Sequence, residues 1–199
     1  MIKEKIIWLD VEPGSVLNPA ELARSLKVSR TPIKEALIFL QAEEWILRDG
    51  SHFMVTPLSL HRLNQITEIR YMMEVQANVM AMNRITNKEI DELHELEEEI
   101  RQLHSKSPIR QIHSLEIKFH QKIFEATQNP QLARMLEQLL LNYLRFWLSI
   151  PRKINTDTFH NDRRELIQAI EMKDEGKVRA AAIDHIKKSM NEIMHPIGV

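Results

Sequence analysis

The chain contains no cysteine, which excludes a disulfide framework and any thiol chemistry. It has only four glycines, too few for the many tight turns of a sheet-rich fold. It holds no apolar run of the roughly 18 residues a membrane-spanning helix needs. Its amino-terminal stretch carries acids and no secretory apolar core, so a cytoplasmic location is expected. Charge of one sign is also missing. The formal net charge is −1, so overall charge does not point to nucleic acid. What is present is ordinary for a globular protein: 43% hydrophobic and 28% charged residues, which argues against long disorder in the 199-residue chain.

The local charge pattern is more informative. Arg24, Lys27, Arg30 and Lys34 fall within eleven residues with no acid between Leu22 and Lys34. Pro13-Gly14 marks a turn. Asn18-Pro19-Ala20-Glu21 reads as a helix start, with Asn as the cap, Pro in the first turn and Glu placed to close a capping box. Ser29 is set to cap a second helix, in which Ile33, Ala36, Leu37 and Leu40 form an apolar stripe. Trp45 to Arg48 and His52 to Val55 then flank Asp49-Gly50-Ser51, a hairpin signal. Two short helices and a hairpin describe a winged helix-turn-helix.

Beyond Ser59 the strand signals stop. Caps and prolines divide the remainder into six helices: 59–84, 86–104, 108 to before Asn129, 131–150, 158–172 and 175–194. The expected fold is therefore mainly α. A winged helix-turn-helix over residues 1–57 is followed by an all-α six-helix bundle over 58–199. The stripes Phe119, Ile123, Ala126 and Leu132, Leu136, Leu140, Tyr143, Trp147 read as core. Met72, Met73, Met80 and Met82 read as core or as the lining of an adaptable pocket. The run Glu95 to Glu99 reads as a solvated face.

In such a unit the second helix enters the major groove by its amino end. Arg30 can bond guanine O6 and N7 together, and Thr31 can meet a phosphate or a thymine methyl. Lys34, one turn later, reaches a base or a phosphate. Arg24 suits phosphate neutralisation, Ser29 stands at the entering end, and Ser51 and His52 lie near the wing tip.

The stretch LNPAELARSLKVSRTPIKEALIFLQAEEWI resembles the helix-turn-helix of the GntR family of bacterial regulators. The resemblance implies operator binding through Arg24, Arg30, Thr31 and Lys34. Lys34 stands where the family usually has arginine, which removes the planar fork at that position. His52 replaces a common wing glycine, and the first helix is shorter than the family's. After Leu58 the chain resembles the FCD domain, the effector domain of the FadR-type branch. The carrying residues are Glu68-Ile69-Arg70 with Glu74, Glu116 to His120, Asn129, Glu165 to Ile170, Asp174 and His185.

Many members of that branch hold a divalent metal with one Asp and three His. By resemblance Glu116 takes the Asp position, and His120 and His185 match two of the histidines. Arg163 takes the place of the third, and arginine does not ligate metal. Three readings stay open. Glu116, His120 and His185 hold Zn²⁺ or a similar ion, with His160 as a substitute ligand. Alternatively Arg163 pairs with Glu116 and holds an anionic effector. Or these are satisfied polar residues of a bundle interior. The alanines 180–182 beside His185 are expected to leave room, and Arg70 is a further pocket candidate or a surface partner of Glu74.

The expected function is a homodimeric, operator-binding transcriptional regulator, a repressor relieved by a small effector, and not an enzyme. The alternative is an all-α metal-dependent hydrolase using Glu116, His120 and His185 with an activated water. A DNA-binding protein whose bundle only dimerises is a further rival.

Overall fold

The computed structural model describes residues 2–50, 52–104, 106–150 and 156–194, except the side chains of 156–160. The chain divides into two compact units, Met1–Arg62 and Leu63–Val199.

The first unit contains α1 (Ile2–Ile7), β1 (Val16–Leu17), α2 (Pro19–Leu26), α3 (Arg30–Ala42), β2 (Ile46–Asp49) and β3 (His52–Val55). The start of α2 follows from its sequence. Asn18 is extended, and its side-chain oxygen accepts from the backbone of Ala20 at 2.9 Å and Glu21 at 3.4 Å. Glu21 takes the Asn18 amide at 3.4 Å. Lys27, in the left-handed region at φ 54°, turns the chain between α2 and α3. Ser29 stands at the cap of α3, but its hydroxyl makes no capping bond there, contrary to expectation. The stripe on α3 is internal: Ile33, Leu37 and Leu40 are buried with Trp45 and Ile46.

The strands form an antiparallel sheet in the order β1-β3-β2, with Ile46 opposite Val55 and Asp49 opposite His52. Gly50 at the hairpin tip has φ 56°, a backbone region that suits glycine. Strand β1 has no signature in the sequence, because two residues cannot display an alternating pattern. It pairs with β3 through Val16 and Met54. Gly14, at φ 82°, donates to Val55 O at 2.8 Å and brings the chain onto that edge. Lys3 fastens α1 to this unit: its ammonium bonds Glu43 at 2.7 Å and lies 5.2 Å from the Trp45 ring centre, while Trp45 Nε1 donates to Glu43 at 2.9 Å.

Most of the second unit is the six helices α4 (Leu60–Arg84), α5 (Asn87–Arg101), α6 (Ile109–Ala126), α7 (Pro130–Ser149), α8 (Thr156–Glu171) and α9 (Glu175–Met194), with the first residues of α4 in the other unit. A complete capping box starts α5: Thr86 N donates to Glu89 at 2.8 Å, and Glu89 N donates to the Thr86 hydroxyl at 3.3 Å. Asn129 caps α7 through Leu132 N at 3.2 Å. Ile150, the residue before Pro151, is extended at φ −104°, ψ 116°, as its proline neighbour demands. The core packs α5 on α6 and α8, α6 on α7, and α8 on α9. Leu93, Ile100, Phe119, Ile123, Phe124, Leu136, Ile167, Ile170 and Ile186 fill it. Helix α6 buries a second row beside its apolar stripe, and that row is polar: His113 and His120, with Glu116 largely covered between them.

Candidate functional site

Two sites emerge, one in each unit. In the first, Arg24, Ser29, Arg30, Thr31, Lys34 and His52 are all exposed, while Ser51 lies outside the described residues. Burying Ile33 and Leu37 turns the opposite face of α3 outward. Arg30, Thr31 and Lys34 therefore stand together at the exposed amino end of that helix. Among the described residues, Arg24, Arg30 and Lys34 enter no ion pair. An unpaired guanidinium and ammonium beside free backbone N–H groups form an anion-attracting end.

The second site is a cavity, partly open to solvent, within the helical unit. Arg70, Glu116, His120, Arg163 and His185, the five residues expected from the sequence, all line it. Tyr143, Leu144 and Trp147 of α7 form an apolar wall together with Leu140 and Ile117.

Charged groups are paired throughout. Arg70 donates from Nε at 2.8 Å and from Nη2 at 3.2 Å to the two oxygens of Glu74. This pair is buried, not a surface pair, with Arg70 only 1% exposed and its guanidinium 4.2 Å from the Tyr143 ring centre. Burial alone would raise the Glu74 carboxyl; the guanidinium and His120 outweigh it and hold Glu74 at a pKa of about 2. On the other side Arg163 donates to Glu116 Oε1, which also meets His120 Nε2 at 3.1 Å. Glu116 likewise sits well below the usual carboxylate range, because Arg163 and His120 overcome its burial. His120 bridges the two pairs, with Nδ1 3.8 Å from Glu74.

His185 packs 5.2 Å from the His120 ring. Burial, followed by the charges of Arg163 and His120, depresses its pKa and favours the neutral imidazole; Asp162, 3.8 Å away, opposes this. Lys188 bonds Asp162 at 2.8 Å and helps to keep that carboxyl ionised against its burial.

The donor set that converges is Glu74, His120 and His185, whose ligand atoms lie within 4.8 Å of one another. The sequence reading instead grouped Glu116 with the two histidines; in the structure Glu116 is engaged by Arg163. The side chain of His160, the proposed substitute ligand, lies outside the described residues. These groups do not fit a divalent cation as arranged. Both oxygens of Glu74 accept from Arg70, Glu116 is neutralised by Arg163, and an added dication would face two guanidiniums at close range.

Other expectations need correction. None of Ala180, Ala181 and Ala182 lines the cavity: the first two border a surface hollow with Glu165 and Met172, and Ala182 packs in the core against Val75 and Ile186. None of the four methionines lines the cavity; Met82 is core and Met72 is exposed. Sequence reasoning missed His113, Asp162, Lys188 and Ser189. His113 was within reach, since residues 113, 116 and 120 follow helical spacing. Tyr143 and Trp147 were read only as core, yet they form the cavity wall. The Tyr143 hydroxyl donates to Ser189 at 3.2 Å.

A winged helix-turn-helix with an exposed cationic reading helix, together with a helical unit that holds a cavity lined by paired charges, defines the class of effector-binding bacterial regulators. The comparisons agree. The family "Bacterial regulatory proteins, gntR family" matches residues 1–52, and the FCD domain matches residues 65–188. The chain belongs to the GntR family and is a transcriptional regulator with an FCD effector-binding domain. It is 24% identical over 198 residues to the uncharacterized HTH-type transcriptional regulator YdhC of Bacillus subtilis, covering 98% of this chain and 88% of that protein. It is 32% identical over 130 residues to the HTH-type transcriptional regulator McbR of Escherichia coli, covering 65% of this chain and 59% of the relative. The solved structure of E. coli McbR/YncC superposes with a TM-score of 0.84 at 24% identity, over 99% of this chain and 95% of that one. Nothing among these findings favours the hydrolase alternative, and no described helix is long and apolar enough to cross a membrane.

Two outcomes test the paired interior. Arg163→Met leaves Glu116 buried without its counter-charge and should cost about 3–5 kcal/mol. Adding Glu116→Gln should recover much of that loss, read by urea denaturation as a double-mutant cycle; additive costs would contradict the pairing. Second, the depressed Glu74 carboxyl contributes stability that is complete above its unfolded value of 4.5 and fades as pH falls toward about 2. Glu74→Gln should flatten that part of the acid dependence of thermal melting, and an unchanged acid slope would contradict it.

Proposed function

We propose that the protein is a homodimeric repressor that reads a roughly palindromic operator through residues 1–57 and responds to a small effector held in residues 58–199. The observation that carries this reading is the exposed, unpaired amino end of α3. Helix α3 enters the major groove with Arg30 leading. Arg30 takes guanine O6 and N7 in two parallel bonds, Thr31 and Ser29 bond phosphate, and Lys34 adds a point charge one turn deeper. Arg24 neutralises a phosphate from the preceding helix, and His52 approaches the neighbouring minor groove from the wing. Two copies related by a twofold axis place two such helices on two half-sites.

The effector enters the cavity and bonds through an anionic group to the Arg70 side. It changes operator affinity only to the extent that it binds one state of the regulator better than the other. No catalytic role is assigned to the cluster, because its carboxylates are neutralised by guanidiniums and none is poised as a base. The protein works where the chromosome is, in the cytoplasm.

Gel shifts on the DNA flanking its own gene test this reading. A salt-sensitive, sequence-selective band is expected. Arg30→Ala should cost about 1–3 kcal/mol of discrimination against a changed base pair. Arg24→Ala should weaken all sequences alike and reduce the salt slope by about one. A band indifferent to sequence and to both substitutions would overturn the assignment.

A further inference from the structure

The cavity contains two buried polar atoms that its own ion pairs leave over. Arg70 gives Nε and Nη2 to Glu74, and its Nη1 has no hydrogen-bond partner. Glu116 receives Arg163 and His120 on Oε1, and its Oε2 has none. One is a cationic donor, the other an anionic acceptor. They flank a single imidazole: His120 lies 3.1 Å from Glu116 and 3.8 Å from the Glu74 that holds Arg70. A buried donor or acceptor without a partner is costly, and more so when charged. Three ion pairs surround the cavity, Arg70 with Glu74, Arg163 with Glu116, and Lys188 with Asp162, and Glu192 adds a further carboxylate to the lining. Facing this polarised surface is the apolar wall of Ile117, Leu140, Leu144 and Trp147.

We propose that the cavity takes a zwitterion, a 2-amino acid with an apolar side chain, bound without a metal ion. Its carboxylate accepts from Arg70 Nη1, its ammonium donates to Glu116 Oε2, and its side chain lies against the α7 wall. A simple monoanion satisfies Arg70 but leaves Glu116 Oε2 desolvated. An amine without a carboxylate does the reverse. A zwitterion adds no net charge to a site whose guanidiniums are already paired.

This inference rests on the reading of the cavity as the effector site, and calorimetry separates the two. Full-length protein freed of metals by chelator is titrated with L-phenylalanine and L-leucine, and with 3-phenylpropionate and phenethylamine as single-headed analogues. At least one amino acid is expected to bind, with both analogues roughly tenfold weaker or worse. Glu116→Gln should erase the preference of the amino acid over 3-phenylpropionate, a ratio that general loss of stability does not produce. The proposal is overturned if 3-phenylpropionate binds as tightly as L-phenylalanine, if neither amino acid gives a heat, or if binding appears only on adding Zn²⁺. A carboxylate that binds alone and still alters operator affinity would remove the zwitterion and keep the effector site. An amino acid that binds and leaves operator affinity unchanged would do the opposite.

Discussion

The interior of the helical unit depends on two guanidinium–carboxylate pairs meeting across one imidazole. Arg70 with Glu74 and Arg163 with Glu116 bring four formal charges inside a bundle, where any one of them unpaired would be strongly unfavourable. His120 touches both carboxylates and joins α4, α6 and α8 in one hydrogen-bonded and electrostatic unit. Such pairing is weak evidence for extra stability, because desolvation offsets much of the attraction. Its consequence is positional. Each partner fixes the rotamer of the other, so the groups facing the cavity are held in place before any ligand arrives.

That arrangement also changes the chemistry that the family pattern would suggest. A guanidinium at position 163 supplies a fixed positive charge beside Glu116, where a histidine would have supplied a ligand. Burial and that same charge lower the pKa of His185. Glu74, His120 and His185 still converge, but the carboxylate is occupied by Arg70. The result is a cavity suited to organic polar groups, with an apolar wall on α7.

Much of this was legible in the sequence, and the omissions have a common cause. The helix-turn-helix was legible because Asn18-Pro19, the stripe Ile33 to Leu40 and Asp49-Gly50 are local signals acting over a few residues. The six later helices follow from caps and prolines such as Thr86, Asn129 and Pro151. Spacing on one helix also united Glu116 with His120. What spacing cannot reveal is which helices face one another. Glu74 on α4 was legible as the partner of Arg70 and not as a neighbour of His185. Asp162 and Lys188, on α8 and α9, carry no pattern that marks them as a pair. The left-out strand β1 is too short to have a period, and Ser29 sits at a cap position without using its hydroxyl.

The two units divide the labour the family membership implies: one exposes unpaired cations at a helix end, and the other hides paired ones around a cavity. Selection of bound duplexes from a random-sequence pool, followed by sequencing, tests the central claim most directly. The account predicts a motif of two related half-sites whose enrichment collapses when Arg30 is replaced by alanine. A pool that stays unenriched with the native protein, or a motif that survives the loss of Arg30 unchanged, would contradict it.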